Sequence, residues 1–150
     1  ISLDGTGATS MATQAMRALP LGFPRVMVST IAAGNVLTYI DISDIVMMPS
    51  IVDVSGLNRI SIGVHRQDAA AVVGMAKANQ IQTDKYRTKP LIVASMFGNT
   101  TRCVAHAKVI LQQAGYEALV FHATGMGGRV MESLIDARLV ARVLHITTTE

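Results

Sequence analysis

A hydrophobic run that passes through a glycine-rich segment into a helix is the feature that most constrains this fold. Residues 118–121 are apolar, and residues 122–129 read HATGMGGR. Val130, Met131 and Leu134 then follow at helical spacing. Glycine lets the backbone approach a ligand closely, and a helix start offers unpaired N–H groups and the positive end of a dipole. The segment therefore predicts a strand, a turn suited to an anion, and a helix.

The same plan recurs along the chain. Hydrophobic runs and turn residues predict strands at 1–3, 25–28, 45–48, 91–96, 117–121 and 143–146. Helical periodicity predicts helices at 11–19, 57–75, 102–114 and 126–138. Residues 31–56 are the least regular, with no helix assigned before the strand at 45–48, and indicate a functional loop or lid; residues 79–90 indicate a surface loop. Strands that alternate with helices predict an α/β fold built on a mainly parallel sheet with helices on both faces.

Composition limits the class of protein. The 150 residues are 50% hydrophobic and 15% charged, which is typical of one folded domain over residues 1–150 and not of a disordered chain. The single cysteine, the lack of a signal peptide and the lack of a bilayer-length apolar run favour a cytoplasmic protein without a membrane partner. The net charge of +3 comes from scattered basic residues, so no nucleic-acid partner is expected. The abrupt ends favour a fragment of a longer protein, truncated at both sides.

Small and hydroxyl-bearing residues cluster after the predicted strands. In a parallel sheet the carboxyl ends of the strands meet at one edge, where ligands bind. The glycines expected there are Gly5, Gly7, Gly34, Gly98, Gly125, Gly127 and Gly128. The hydroxyl residues expected there are Thr6, Thr9, Ser10, Ser29, Thr30, Thr100, Thr101, Thr124 and the final threonines, residues 147–149. The pattern predicts a binding site along this edge.

Charged residues near this edge have competing interpretations. Arg129 can hold phosphate oxygens in a bidentate manner, and Arg102 is a second possible phosphate ligand. Arg25 lies at the opposite end of its strand and is interpreted as a surface charge. His122 lies where a strand meets the glycine-rich turn, so it is either a general acid or base or a hydrogen-bonded structural histidine.

Four carboxylates each have two interpretations. Each could meet a magnesium ion carried by phosphates, or could be a solvated or capping group. The carboxylates concerned are Asp44, Asp53, Glu132 and Glu150. No cluster of cysteine and histidine predicts a protein-bound metal, and no residue is assigned as catalytic.

Five stretches, residues 17–30, 50–58, 96–101, 120–132 and 146–150, resemble the Tm-one-like ATP-binding family. The resemblance implies a Rossmann-like domain that binds ATP, alone or with magnesium, and that belongs to a longer protein. The family's plant namesake binds a viral helicase, which implies a possible protein partner here. Family members have glycine at the positions of Asp4 and Ala8, so the turns at Gly98 and at 125–129 are expected to dominate phosphate binding.

Three functions follow from this reading. The first is a nucleotide-binding module, with His122 and Arg129 beside the glycines named above. Its hydroxyl residues are Thr6, Thr9, Ser29, Thr30, Thr100, Thr101 and Thr124. The second is an enzyme acting on a small phosphorylated or carboxylated metabolite, with His122 or Glu132 in acid–base chemistry. The third is a protein-interaction domain with a structural nucleotide, in which residues 31–56 form the contact surface. Self-association into a homo-oligomer is also expected, because a parallel sheet that is cut leaves an open edge.

Overall fold

The computed structural model describes residues 1–80 and 89–147, which belong to two compact units, Ile1–Gln82 and Thr83–Glu150. The N-terminal unit contains β1 (Ser2–Asp4), α1 (Thr6–Arg17), β2 (Val26–Ser29), a 3₁₀ turn (Thr30–Ala33), α2 (Leu37–Ile40), β3 (Val46–Pro49) and α3 (Arg59–Gln80). The C-terminal unit contains β4 (Leu91–Met96), a 3₁₀ turn (Gly98–Thr100), α4 (Thr101–Gln113), β5 (Glu117–His122), α5 (Met126–Asp136) and β6 (Arg142–His145).

Each unit is built on a parallel three-stranded sheet. The strand order is β1-β2-β3 in the N-terminal unit and β5-β4-β6 in the C-terminal unit. Met27 on β2 is aligned with Met47 on β3, and Ala94 on β4 is aligned with both Val120 on β5 and Leu144 on β6. The predicted α/β class with parallel strands is confirmed. The assignment of residues 1–150 to a single domain stays a prediction.

The core of each unit lies where helices pack against the central strand. In the N-terminal unit Met16 of α1 packs with Met27 of β2 and with Ile45. In the C-terminal unit Met131 and Leu134 of α5 pack against Val93 of β4. All four residues of β2 are buried, as expected for a central parallel strand that is covered on both faces.

Arg25 is buried, so its interpretation as a surface charge was wrong. Its side chain is 3% exposed and donates hydrogen bonds to the carbonyl oxygens of Met16 (2.8 Å), Pro20 (2.9 Å) and Phe23 (3.2 Å). The guanidinium also forms an ion pair with Asp44. Arg25 thus ties the end of α1 and the following turn to the start of β2, and Asp44 serves the fold in this pair.

Two helices, α1 and α2, differ in position from the sequence-based prediction. Helix α1 begins at Thr6, so Gly7 and Thr9 belong to the helix and not to a turn that precedes it. The short helix α2 lies inside the segment that was expected to be irregular. Local propensity is a weak guide at such points, because packing on the sheet stabilises turns of helix that glycine and threonine disfavour.

The inward faces of α3 and α4 differ in part from the prediction. Leu57 lies before α3 with 78% of its side chain exposed, and Ile60 is 49% exposed, although both were expected to face inward. On α4 Val104 is buried as predicted, whereas Cys103 and Ile110 are exposed. A three-stranded sheet offers a narrow surface, so it covers a narrower stripe of each helix than the apolar periodicity suggests.

Some expectations fall on residues 81–88 and 148–150, which lie outside the described residues. These are most of the loop expected at 79–90, the last threonines and Glu150. Residues 79 and 80 belong to α3. No helix in the described part of the chain is both long and apolar enough to cross a membrane.

Candidate functional site

The strand order of the C-terminal unit places two successive strand connections on opposite sides of β4. The connection from β4 to β5 runs to one side of β4, and the connection from β5 to β6 crosses back to its other side. Because such crossovers are right-handed, α4 and α5 belong on opposite faces of the sheet. In open parallel sheets, ligands bind at the carboxyl ends of the strands where connections diverge in this way.

A pocket of about 210 Å³ opens at this point. It lies beyond the carboxyl ends of all three strands and beside the first turns of α5. Its lining residues are Ser95, Phe121, His122, Ala123, Gly128, Met131, Glu132, His145 and Thr147. The edge of the sheet predicted to bind a ligand therefore contains a pocket.

Glycines allow α5 to begin directly against the end of β5. Gly125 precedes the helix at φ +71°, in the left-handed region that glycine adopts without a steric cost. A Cβ atom on Gly127 would lie 2.3 Å from the carbonyl oxygen of His122, so only glycine fits there. No side chain caps the start of α5, and its first turn contains no acidic residue. The first N–H groups of an α-helix have no partner within the helix, and together with the positive end of the dipole they favour an anion at this helix start.

Three hydroxyl groups fasten the chain beyond β6 to the end of β4. Ser95 is 2% exposed; its Oγ donates to the Thr147 carbonyl oxygen (2.9 Å) and accepts from the Thr147 N–H (3.2 Å). The Oγ1 atoms of Thr147 and Thr100 are 2.6 Å apart. Thr100 also donates to the carbonyl oxygen of Phe97 (3.1 Å), so it links the turn after β4 to the end of β6. These bonds hold one wall of the pocket in place.

His122 and Glu132 are ionisable side chains that line the pocket. Nδ1 of His122 lies 3.2 Å from Oγ1 of Thr124, and its ring meets that of Phe97 edge to face with centroids 5.9 Å apart. These contacts orient the exposed imidazole. Glu132 projects from the second turn of α5, and both side chains line the same pocket. Imidazole and carboxylate groups can exchange protons with a bound molecule.

Some predicted site residues lie near the pocket without lining it. Gly98 belongs to the 3₁₀ turn after β4, and Thr101 begins α4. Arg129 is exposed on the first turn of α5, and Arg102 is exposed on α4. In the part of the chain that the structure describes, no group of three or more His, Cys, Asp or Glu residues could hold a metal ion.

Several residues that line the pocket were not predicted from the sequence. Ser95 carried a usable signal, since it is a polar residue in a strongly apolar strand. His145 was not among the predicted site residues, and Thr147 was expected at this edge only as one of the final threonines. Phe121 and Met131 were assigned to the strand and to the core.

In the N-terminal unit two predicted site residues support the fold. Thr9 and Ser29 are fully buried, and their hydroxyl oxygens lie 2.7 Å apart. Thr9 also donates to the Gly5 carbonyl oxygen (2.7 Å), and Ser29 accepts from the N–H of Ile31 (3.3 Å). These bonds join the start of α1 to the end of β2.

The other predicted residues of this unit lie at or near its surface. Thr6 and Gly7 are exposed on the first turn of α1, and Gly34 ends the 3₁₀ turn after β2. Thr30 lines a second pocket of about 230 Å³ beyond the ends of β2 and β3. The other residues that line it are Ala33, Pro49, Ser50, Ile51, Val52 and Asp53. The segment predicted to be a functional loop therefore forms most of a cavity wall.

The fold and these two pockets define an α/β protein with small cavities at the carboxyl ends of its parallel strands. The model of the uncharacterised protein family UPF0261, N-terminal domain, matches residues 1–81, and the model of its C-terminal domain matches residues 89–150. The chain belongs to the UPF0261 family.

Relatives occur in bacteria and in a plant. A UPF0261 protein of Rhizobium meliloti is 50% identical over all 150 residues, which make up 37% of its own length. The ToMV resistance protein Tm-1 of Solanum lycopersicum is 44% identical over 157 aligned residues, and the match covers the whole chain and 20% of that protein. The ToMV susceptible protein tm-1 matches equally well. The chain thus spans a minor part of these relatives, and the family resemblance seen in the sequence is confirmed.

Proposed function

We propose that the C-terminal unit binds a nucleotide, ATP in the first instance, through its phosphates. The observation that carries the proposal is the uncapped start of α5, which opens on the pocket at the divergence of the strand connections. Helix starts of this kind bind phosphate through backbone N–H groups. The resemblance to the Tm-one-like ATP-binding family supports ATP as the nucleotide.

The small volume of the pocket supports binding of only the phosphate part of the nucleotide. Its volume of about 210 Å³ is below the range of roughly 300–1,000 Å³ typical of sites for whole drug-sized ligands. The pocket therefore holds phosphate groups, and the base and sugar lie outside it. Arg129, exposed on the same first turn of α5, adds a cation beside the phosphates.

The substitution Gly128→Ala tests this site with little effect on folding. A Cβ atom at Gly128 would lie 3.9 Å from the Ala123 carbonyl oxygen, which is an ordinary contact, yet it adds a methyl group to the pocket lining. Gly74→Ala is the matched control, because a Cβ there meets nothing within 4 Å and Gly74 lies on α3. Isothermal titration with ATP and magnesium should show binding that Gly128→Ala weakens at least about tenfold and Gly74→Ala leaves unchanged.

Arg129→Ala provides a second, independent measurement. It should weaken ATP binding about tenfold, as expected for the loss of a charged hydrogen bond of roughly 1.5–3 kcal/mol. Equal affinities of the parent and the Gly128→Ala variant would refute the proposed pocket. Equal affinities of the parent and the Arg129→Ala variant would remove Arg129 from it.

An enzyme acting on a small phosphorylated or carboxylated metabolite is the second function that we propose. It is favoured by His122 and Glu132, which line the same pocket as the start of α5. Turnover of such a metabolite should be lost in His122→Gln while far-UV circular dichroism stays unchanged. Turnover that persists in this variant would exclude His122 as the acid–base group.

A contact with a protein, either a partner or a second copy of the chain, is the third function that we propose. Residues 31–56 present exposed apolar side chains, including Leu37 at 52% and Ile51 at 71% exposure. Burial of such side chains stabilises protein interfaces. Leu37→Asp should shift the equilibrium toward monomers in analytical ultracentrifugation, and an unchanged sedimentation profile would exclude this surface from self-association.

A further inference from the structure

The second pocket, in the N-terminal unit, has a lining that accepts hydrogen bonds. Asp53 contributes a carboxylate, of which Oδ1 accepts from the N–H of Val54 (3.1 Å). The hydroxyl of Ser50 donates to the carbonyl oxygen of Val52 (2.7 Å), so its own oxygen presents lone pairs. Thr30 adds another hydroxyl, and no Lys, Arg or His is among the described residues that line the pocket. A phosphate or carboxylate ligand would meet the charge of Asp53 with no cation to offset it.

Apolar groups form the rest of this wall. Pro49, Val52 and Ala33 line the pocket beside the polar groups. Ile51 has φ +64°, a left-handed conformation that is rare for a β-branched residue, and its side chain is 71% exposed at the mouth of the pocket. Strained residues of this kind cluster at ligand sites. The pocket thus combines acceptor groups with an apolar surface.

We propose that this pocket binds the vicinal diol of a sugar ring. A carboxylate can accept hydrogen bonds from two adjacent hydroxyl groups, and the C–H face of a sugar ring packs on apolar side chains such as Ile51 and Pro49. The volume of about 230 Å³ has room for one sugar ring and not for an oligosaccharide. Because the pocket belongs to the N-terminal unit and needs no phosphate, the proposal stands apart from phosphate binding in the C-terminal unit.

The diol can belong to a free sugar or to a nucleoside, so the test includes both. A ¹⁵N-labelled sample of the chain is titrated with methyl β-D-ribofuranoside, with its 2-deoxy analogue and with adenosine, and amide shifts are followed by NMR. The ribofuranoside should shift the amides of Asp53 and Val54. Its 2-deoxy analogue, whose locked five-membered ring has no vicinal diol, should bind at least about fivefold more weakly. Adenosine that binds more than about tenfold tighter than the ribofuranoside identifies a nucleoside as the ligand, and similar affinities identify a simple sugar.

Variants separate a ligand contact from a structural role. Asp53→Asn keeps an oxygen that can accept from the Val54 N–H but removes the charge, and it should abolish the ribofuranoside-dependent shifts. Asp136→Asn, an exposed residue at the end of α5, is the control for the loss of one charge and should leave them intact. Thr30→Val provides a second variant at an exposed position and should weaken ribofuranoside binding about two- to fivefold.

Three results would overturn the proposal. They are equal shifts with the ribofuranoside and its 2-deoxy analogue, ribofuranoside binding by Asp53→Asn that matches the parent, and ribofuranoside and adenosine shifts confined to residues outside the pocket. The Gly128→Ala variant should bind the ribofuranoside as the parent does. Failure of ATP binding and failure of diol binding are therefore distinguishable in the same set of samples.

Discussion

The contact between Gly127 and the end of β5 leads to a quantitative prediction. A methyl group at this position would lie 2.3 Å from the carbonyl oxygen of His122 and 3.1 Å from its backbone nitrogen. Both atoms belong to the backbone of a paired strand, so neither can rotate away as a side chain would. The change Gly127→Ala therefore forces α5 or β5 to move.

The expected magnitude comes from two opposing terms. Replacing glycine by alanine inside a helix stabilises it by about 1 kcal/mol. Forcing an extra methyl group into a tightly packed site costs about 1–3 kcal/mol. Gly127→Ala should therefore lower the free energy of unfolding by up to about 2 kcal/mol. Gly128→Ala has the same helical gain without the clash, so it should raise that free energy by up to about 1 kcal/mol.

Urea unfolding followed by far-UV circular dichroism measures the difference. The two variants change adjacent positions of one helix, so the same unfolding transition is compared. With a denaturant slope of about 1–3 kcal/mol per molar urea, a difference of about 2 kcal/mol separates the two midpoints by roughly 1–2 M. A Gly127→Ala midpoint equal to or above that of Gly128→Ala would refute the close packing of α5 on β5.

Four further substitutions provide three tests of other parts of the structure. Arg25→Met should lower the free energy of unfolding by about 3–5 kcal/mol, because it leaves buried acceptors unpaired. Asp44→Asn changes a partly exposed partner, so it should lower the free energy of unfolding by about 1 kcal/mol or less in the same urea titration. Similar losses for both would contradict a buried hydrogen-bonding role of Arg25. Ile51→Asn should raise the melting temperature by roughly 2–4 °C, since asparagine tolerates the left-handed conformation and little apolar burial is lost. A lower melting temperature would contradict backbone strain at this position. Ser95→Ala should cost about 1–3 kcal/mol and speed amide exchange at Thr147, and unchanged exchange would contradict the link between them.

The local pattern of the sequence was sufficient for the elements around α5. The apolar run at 118–121 and the glycines that follow it predicted a strand and a helix, and the structure has β5 and α5 there. These elements are set by neighbouring residues, through glycine conformation and helical periodicity. The class of fold followed for the same reason, since alternation of strands and helices is visible along the chain.

The lining of the pocket in the C-terminal unit could not be predicted from local sequence, because it depends on which strands pair. Ser95 and Thr147 meet because β6 pairs with β4, and the order β5-β4-β6 is a tertiary property. The burial of Arg25 was not predicted for a similar reason. Its partners include the carbonyl oxygen of Met16 and the carboxylate of Asp44, which reach it only when α1 and the segment before β3 pack together. Burial of a charged side chain is set by such partners and not by its position at one end of a strand.

The placement of β6 beyond β4 has a consequence for how the chain is synthesised. β4 contributes four fully buried residues, and β5, the next strand along the chain, covers only one of its edges. The other edge of β4 stays unpaired until Arg142–His145 are synthesised, and these residues form the last of the described strands. A ribosome-bound or prematurely terminated chain therefore exposes a hydrophobic strand edge that can pair with other chains. Nonsense mutations at codons 137–142 should yield insoluble product, even though every residue of β4, α4, β5 and α5 has been made.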